Sequence, residues 1–268
     1  MYPRLAVVAP GSSVTRALRI MEAVGAAGDG ITPKAIARRL GCPLPTVYRA
    51  IGVLVEEGYL VRLNDVRGYG LGYRVAQLQH SLVEQVRPPA AARSVLHEVH
   101  VNAGAACYLA ARRDIDIVIT HVDDCPEHPR PAPMRVGEPT APHATAAGKV
   151  VLAGLRPPRL SELVARLGLP KLATHTVADR RALDRELRRI RAEGAAVEVE
   201  EYAHGVAGIA VPVAGPDGEV IAGLGVSVSR ADFAARRWEL EQVLRRAGAR
   251  VAAALAAVER PPPAPVQP

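Results

Sequence analysis

A chain of 268 residues that is 49% hydrophobic, 23% charged and only 3% aromatic can build one large or two unequal domains, with a core of Ala, Val, Leu and Ile. Its three cysteines, Cys42, Cys107 and Cys125, exclude a disulfide framework and a Cys-x-x-Cys knuckle, and no uncharged apolar run reaches the roughly 18 residues of a membrane span. No signal peptide opens the sequence, so the expected compartment is the cytoplasm, with no membrane partner.

The net charge of +7 is unevenly spread: residues 1–73 hold nine basic groups against five acidic ones, and residues 74–259 hold 24 against 22. Such a basic N-terminal quarter permits a nucleic-acid partner. Ser12 and Ser13 can cap a first helix, whose predicted inner face is Val14, Ala17, Leu18, Met21 and Val24. Thr32 caps a second, short helix, with Pro33 at its first position, Ile36 and Leu40 inward, Lys34, Arg38 and Arg39 outward and Gly41 as its stop. After Cys42-Pro43 a third helix is predicted over Pro45–Glu57. Leu44, Val47, Ile51, Leu54 and Val55 form its buried stripe, and Pro45, Thr46, Tyr48, Arg49 and Gly52 its outer face. A second helix with short polar, aromatic and Arg side chains near its start suits the major groove, where Arg pairs with guanine and hydroxyls reach phosphates. Tyr59–Leu63 and Tyr69–Leu71 read as strands around the turn Asn64–Gly68, a wing placing Arg62 and Arg67 near phosphates. The DNA-binding set is Arg16, Thr32, Lys34, Pro45, Thr46, Tyr48, Arg49, Arg62 and Arg67.

Ala76, Leu78, Leu82 and Val83 recur at helical spacing, a connecting helix broken by Arg87-Pro88-Pro89. From Ala90 on, helices and strands alternate. Helices are expected over Ala91–Val101, from His143 to Ala153, and over Leu160–Leu167, Ala178–Glu193 and Phe233–Val258. Strands are expected over Ala105–Ala111, Ile115–Val122, Ala195–Glu200, Ile209–Val213 and Val220–Ser229. A mixed sheet flanked by helices can enclose a small pocket. The charged run Arg180–Arg191 falls on one helix face and reads as solvated surface.

Ser13-Val14-Thr15-Arg16-Ala17-Leu18-Arg19-Ile20, Thr46-Val47-Tyr48-Arg49, Glu56-Glu57-Gly58-Tyr59-Leu60, His143–Lys149 and Glu200–Val213 together look like the IclR family of bacterial transcription regulators. The resemblance implies an α+β chain: a winged helix-turn-helix over 1–72, a linker helix over 73–88 and a GAF-like α/β effector-binding domain over 89–259; the run Pro261-Pro262-Pro263 reads as a disordered tail over 260–268. It implies a homodimer or homotetramer on double-stranded operator DNA, acting as a repressor under a small-molecule effector. It also implies an effector pocket lined by Thr145, Ala146, Ala147, Gly148, Glu200, Gly208, Ser227 and Ser229. A helix N-terminus at Ala146–Gly148 suits a carboxylate, so the effector is expected to be an organic acid. Ser227 and Ser229 share one strand face. Where many family members carry Cys, this chain has Gly208.

Other chemistries fit less well. Gly148-Lys149 lacks the leading Gly and the following Ser/Thr of a phosphate loop, and Gly223-Leu224-Gly225 lacks the third Gly of a dinucleotide fingerprint. No Ser-His-Asp or Cys-His arrangement points to catalysis, and no cofactor is expected. The alternative reading is a redox or metal sensor using Cys107, Cys125 and the histidines His121 and His128, although the Pro-flanked spacing matches no common zinc site.

Overall fold

The computed structural model describes residues 12–28, 30–64, 68–114, 116–139 and 141–259, with the backbone alone at 258 and 259. The chain divides into two compact units that meet between Glu84 and Gln85.

The first unit opens with helices α1 (Ser13–Gly25), α2 (Pro33–Leu40) and α3 (Leu44–Glu56). Ser12 caps α1 by accepting from the Thr15 N–H, and Thr32 caps α2 by accepting from the Ala35 N–H. Gly41 adopts φ 63°, the left-handed geometry that ends a helix, and the Gly41 and Cys42 N–H groups both return to the Ala37 carbonyl. That tight turn throws the chain directly into α3. Strands β1 (Leu60–Leu63) and β2 (Gly68–Leu71) then pair antiparallel, and α4 (Tyr73–Val86) leads away. Ile20, Val24, Ile36, Val47, Ile51, Leu54 and Leu60 make the core of this unit.

Two expectations need correction here. On α1 the dry stripe runs through Ile20, Ala23 and Val24, while Val14 and Leu18 are 67% and 55% exposed. Periodicity marks an apolar face, but α1 carries two, and only one can meet α2 and α3. On α3 Val55 is exposed and Leu44 only half-buried, and the helix starts at Leu44, one residue earlier than predicted.

The second unit holds α5 (Ala90–Ala103), β3 (Ala106–Arg113), β4 (Asp116–Asp123), α6 (Ala146–Gly154), α7 (Pro157–Leu167), α8 (Arg180–Glu193), β5 (Ala196–Val199), β6 (Val206–Ala214), β7 (Val220–Ser229) and α9 (Arg230–Glu259). The five strands order β4-β3-β7-β6-β5 and every pairing is antiparallel, so the sheet is not mixed. Short turns join β3 to β4 and β6 to β7, which forces antiparallel neighbours. The loop before α6 lies along the edge of β4, where the Ile119 N–H donates to Glu138 and the Gly137 N–H to Ile119. This covers an edge that would otherwise offer free backbone groups.

Each face of the sheet is covered. Cys107, Leu109, Ile209, Val211, Leu224 and Val226 pack with Leu96 of α5 and Leu240 and Leu244 of α9. Tyr108, Ala110, Ala196 and Ala210 pack with Val150 and Val151 of α6, Leu160 and Leu163 of α7, and Leu183 and Leu187 of α8. Helix α6 is buried from Ala146 to Ala153, which a helix apolar all round requires. It can sit so close because the sheet beneath it is made of small residues. A Cβ on Gly223 would stand 2.5 Å from the Ala147 carbonyl oxygen. Gly223→Ala should therefore cost about 1–3 kcal/mol of stability through overpacking against backbone. Urea denaturation of the variant checks this; an unchanged midpoint would mean that α6 yields.

The disordered tail expected over 260–268, and Arg67, lie outside the described residues.

Candidate nucleic-acid interface and effector site

In the first unit α3 presents its outer face to solvent. Pro45, Tyr48, Arg49 and Gly52 are exposed and Thr46 is half-exposed, with Tyr48 at 51%. Arg16 of α1 joins Thr46 and Arg49 along a groove of about 480 Å³ between the two helices, floored by Ala17 and Ala50. Lys34 is exposed on α2 and Arg62 on β1, whereas the Thr32 hydroxyl is engaged in capping. Arg16 and Arg49 thus line a groove on a helix whose far side is dry, and Lys34 and Arg62 add exposed cations on α2 and β1, charges that suit phosphate contacts around a groove-reading helix.

In the second unit the strand register decides which predicted groups meet. Gly208 pairs with Glu198 on one side and with Ser227 on the other, and Ser227 pairs with Ala106. Residues in one cross-strand row point to one face, here the face covered by α6. Thr145 caps α6 by accepting from the Gly148 N–H at 3.2 Å, and Thr145, Ala146, Ala147 and Gly148 are all buried. The structure therefore brings the α6 start, Gly208 and Ser227 together.

It does not bring Glu200 and Ser229 to that row. Glu200 has φ 52°, which turns it out of the sheet. Its carboxylate accepts from the Gly205 N–H at 3.0 Å and from Arg230 at 3.0 Å. The Gly205 hydrogen bond and then the Arg230 charge hold it below the usual carboxylate range. Ser229 is exposed and accepts from the Asp232 N–H, capping the start of α9. His143 is buried, and its Nε2 donates to the Pro170 carbonyl at 2.9 Å, which anchors the loop ahead of α6; burial holds it below the usual imidazole range.

The sequence reading missed four polar groups beneath α6. Lys149 is fully buried, and its Nζ donates to both Glu201 carboxylate oxygens at 2.7 and 3.0 Å, to the Val197 carbonyl at 2.7 Å and to Glu186 at 3.4 Å. Glu198 is 1% exposed, and neither carboxylate oxygen has a hydrogen-bond partner. Burial pushes its carboxyl up to about 8 against the lowering effect of Lys149, and the nearby Glu201 charge adds to the rise. The Tyr108 hydroxyl is likewise buried without a partner. Its phenol is pushed well above the usual range by burial and then by Glu198. In sequence a buried Lys or Glu looks like any solvated one; only the odd position of Glu198, facing inward by strand alternation from Ala196, could have marked it.

The sensor alternative finds no support in the geometry. Cys107 lies in the core on the α5 side, where burial pushes its thiol far up and away from the reactive thiolate. Among the described residues no group of three or more His, Cys, Asp or Glu side chains is arranged to hold a metal ion. No helix among the described residues is long and apolar enough to cross a membrane.

Comparison with known proteins agrees with both units. Residues 13–63 match the IclR helix-turn-helix domain, and residues 80–253 match the C-terminal domain of bacterial IclR transcriptional regulators. The chain is 33% identical over 203 residues to the transcriptional regulator TtgV of Pseudomonas putida, covering 74% of each chain. It is 29% identical over 221 residues to the probable transcriptional regulator SauR of Cupriavidus necator, covering 82% of this chain and 87% of that one. Among solved structures, the IclR protein of Thermotoga maritima superposes with a TM-score of 0.70 at 23% identity, over 91% of this chain and 98% of that one. An IclR homologue of Microbacterium hydrocarbonoxydans complexed with 4-hydroxybenzoate gives 0.71 at 24% identity, over 92% of this chain and 100% of that one. An outward-facing α3 on a compact helix-turn-helix, an antiparallel sheet carrying α6, and family matches along most of its length show that the chain belongs to the IclR family of bacterial transcription regulators.

Proposed function

We propose that this regulator is a repressor that holds its operator through α3 and releases it when an organic acid binds beside the start of α6. The observation that carries the DNA half is the exposed face of α3, with Tyr48 and Arg49 open to solvent and the opposite side packed in the core. The DNA contacts proposed are Arg16, Lys34, Pro45, Thr46, Tyr48, Arg49, Arg62 and Arg67, with Thr32 as the cap that sets α2. The proposed domain bounds are 1–72, 73–88 and 89–259. The assembly is a homodimer or homotetramer, which places two copies of α3 on successive half-sites.

Arg49→Ala should weaken operator binding by about 1–3 kcal/mol and relax specificity at one base pair. A gel-shift titration against the operator and a variant of it checks this. Undiminished affinity would remove Arg49 as a reader. Effector binding to the native state raises the melting temperature. A thermal-shift screen of small organic acids, starting with 4-hydroxybenzoate, followed by operator release in the gel shift, tests the regulatory half. Tighter operator binding on adding the effector would overturn release by the effector.

A further inference from the structure

At the far end of α6 from the proposed effector site, α7 and the β3–β4 hairpin line a cavity of about 380 Å³. The nine residues of α6, at 1.5 Å each, set the two places about 13 Å apart. The cavity floor is apolar: Ile117 of β4, Leu155 after α6 and Leu163 of α7 are all buried. Its rim carries three arginines and three carboxylates, so the charges sum to zero. Four of the six are matched. Arg166 reaches Asp116 at 2.7 Å, and Arg159 reaches Glu162 at 2.9 Å one turn along α7. Arg112 and Asp114 remain, and among the described residues neither side chain has a hydrogen-bond or ion-pair partner. Strand alternation puts Arg112 on the cavity side, in line with Tyr108 and Ala110 and across from Ile117. The next residue, Arg113, reaches instead for the Val86 carbonyl. Asp114, at φ 51°, occupies the hairpin turn at the cavity rim.

We propose that this cavity is a second small-molecule site and that it takes a zwitterionic amino acid with an apolar side chain. The apolar floor gains from any apolar surface that leaves water on it. The unmatched guanidinium of Arg112 suits a carboxylate, and the unmatched carboxylate of Asp114 suits an ammonium group. A ligand with only one of these charges leaves the other rim group unpaired and upsets a rim that is already balanced. A zwitterion matches both and keeps the sum at zero. A volume of about 380 Å³ lies near the lower end of ligand pockets, which fits a molecule of leucine's size rather than a large cofactor. The site stands apart from the carboxylate reading at the α6 start, since the two share no lining residue.

Isothermal titration of the full chain with L-leucine, L-valine and L-phenylalanine tests this, beside three analogues of leucine. Isocaproate lacks the ammonium group, isoamylamine lacks the carboxylate and glycine lacks the apolar side chain. Expected is one leucine bound per chain, with each analogue at least about tenfold weaker. Arg112→Gln and Asp114→Asn should each weaken leucine about tenfold. Both should leave the melting temperature of the free protein unchanged, since the two side chains are exposed and Asn keeps the left-handed turn. Ser227→Val, at the other end of α6, should leave leucine binding as it is. Leucine affinity that ignores either rim variant would overturn the proposal, and so would loss of leucine binding in Ser227→Val, which would move the ligand to the α6 start. Isocaproate or isoamylamine binding as tightly as leucine would overturn the zwitterion match. Absence of binding by all three apolar amino acids at millimolar concentration would overturn the site outright.

Discussion

Lys149→Met is expected to destabilise the second unit by about 3–5 kcal/mol, because it leaves the Glu201 carboxylate buried beside Glu198 with no cation. The loss arises from stranding the partner more than from the pair's own attraction. Removing both charges should therefore recover most of it: Lys149→Met with Glu201→Gln melts close to the wild type. Thermal unfolding of the two variants, with the C-terminal unit followed by circular dichroism, provides the measurement. A single variant as stable as the wild type would mean that water reaches Glu201 or that its carboxylate takes up a proton. The double variant also separates the stabilising role of the pair from any part in effector recognition.

The second large effect is a pH dependence. Glu198 titrates near 4.5 when unfolded and at about 8 in the fold. A carboxyl whose folded value is raised binds its proton more tightly in the native state. Its contribution is complete below the unfolded value and is lost as pH rises through the folded one. The gap between 4.5 and about 8 corresponds to roughly 3–5 kcal/mol lost between about pH 4.5 and 8. Glu198→Gln keeps the neutral shape and has no proton to lose. Its melting temperature should match the wild type near pH 5 and exceed it by several degrees near pH 8.5. Parallel melting curves for the two proteins across this range would show that Glu198 is hydrated.

These two residues also mark where the sequence stops being informative. Helices α2, α3 and α8 were legible because their apolar residues recur on a single face and their caps, Thr32, Gly41 and Gly194, punctuate them. Helix α1 was half-legible: Val14 and Leu18 are as apolar as Ile20 but face outward, and periodicity cannot say which of two apolar faces stays dry. Strand alternation placed Ser227 correctly in the α6-facing row. Ser229, on the same predicted face, ends β7 and turns to capping α9, and Glu200, expected from the resemblance, lies just past β5 with its carboxylate on Gly205 and Arg230. Lys149, Glu198 and Glu201 escaped notice for a different reason. A charge is buried only when other parts of the chain surround it, and that is a property of the register of β5 and β6 and of the seat of α6. Sheet direction was equally hidden, since alternation within a strand carries no record of which neighbour it pairs with.

Strand β7 passes into α9 without an intervening residue, and Ser229 caps the junction. At 1.5 Å per residue, the 30 residues of α9 form a rod about 45 Å long. Each degree by which that rod pivots at its root displaces its tip by about 0.8 Å. Leu240, Leu244, Ala247 and Val251 seat that rod on the sheet, so a pivot at its root, two positions from Ser227, would have to carry the sheet beneath it as well.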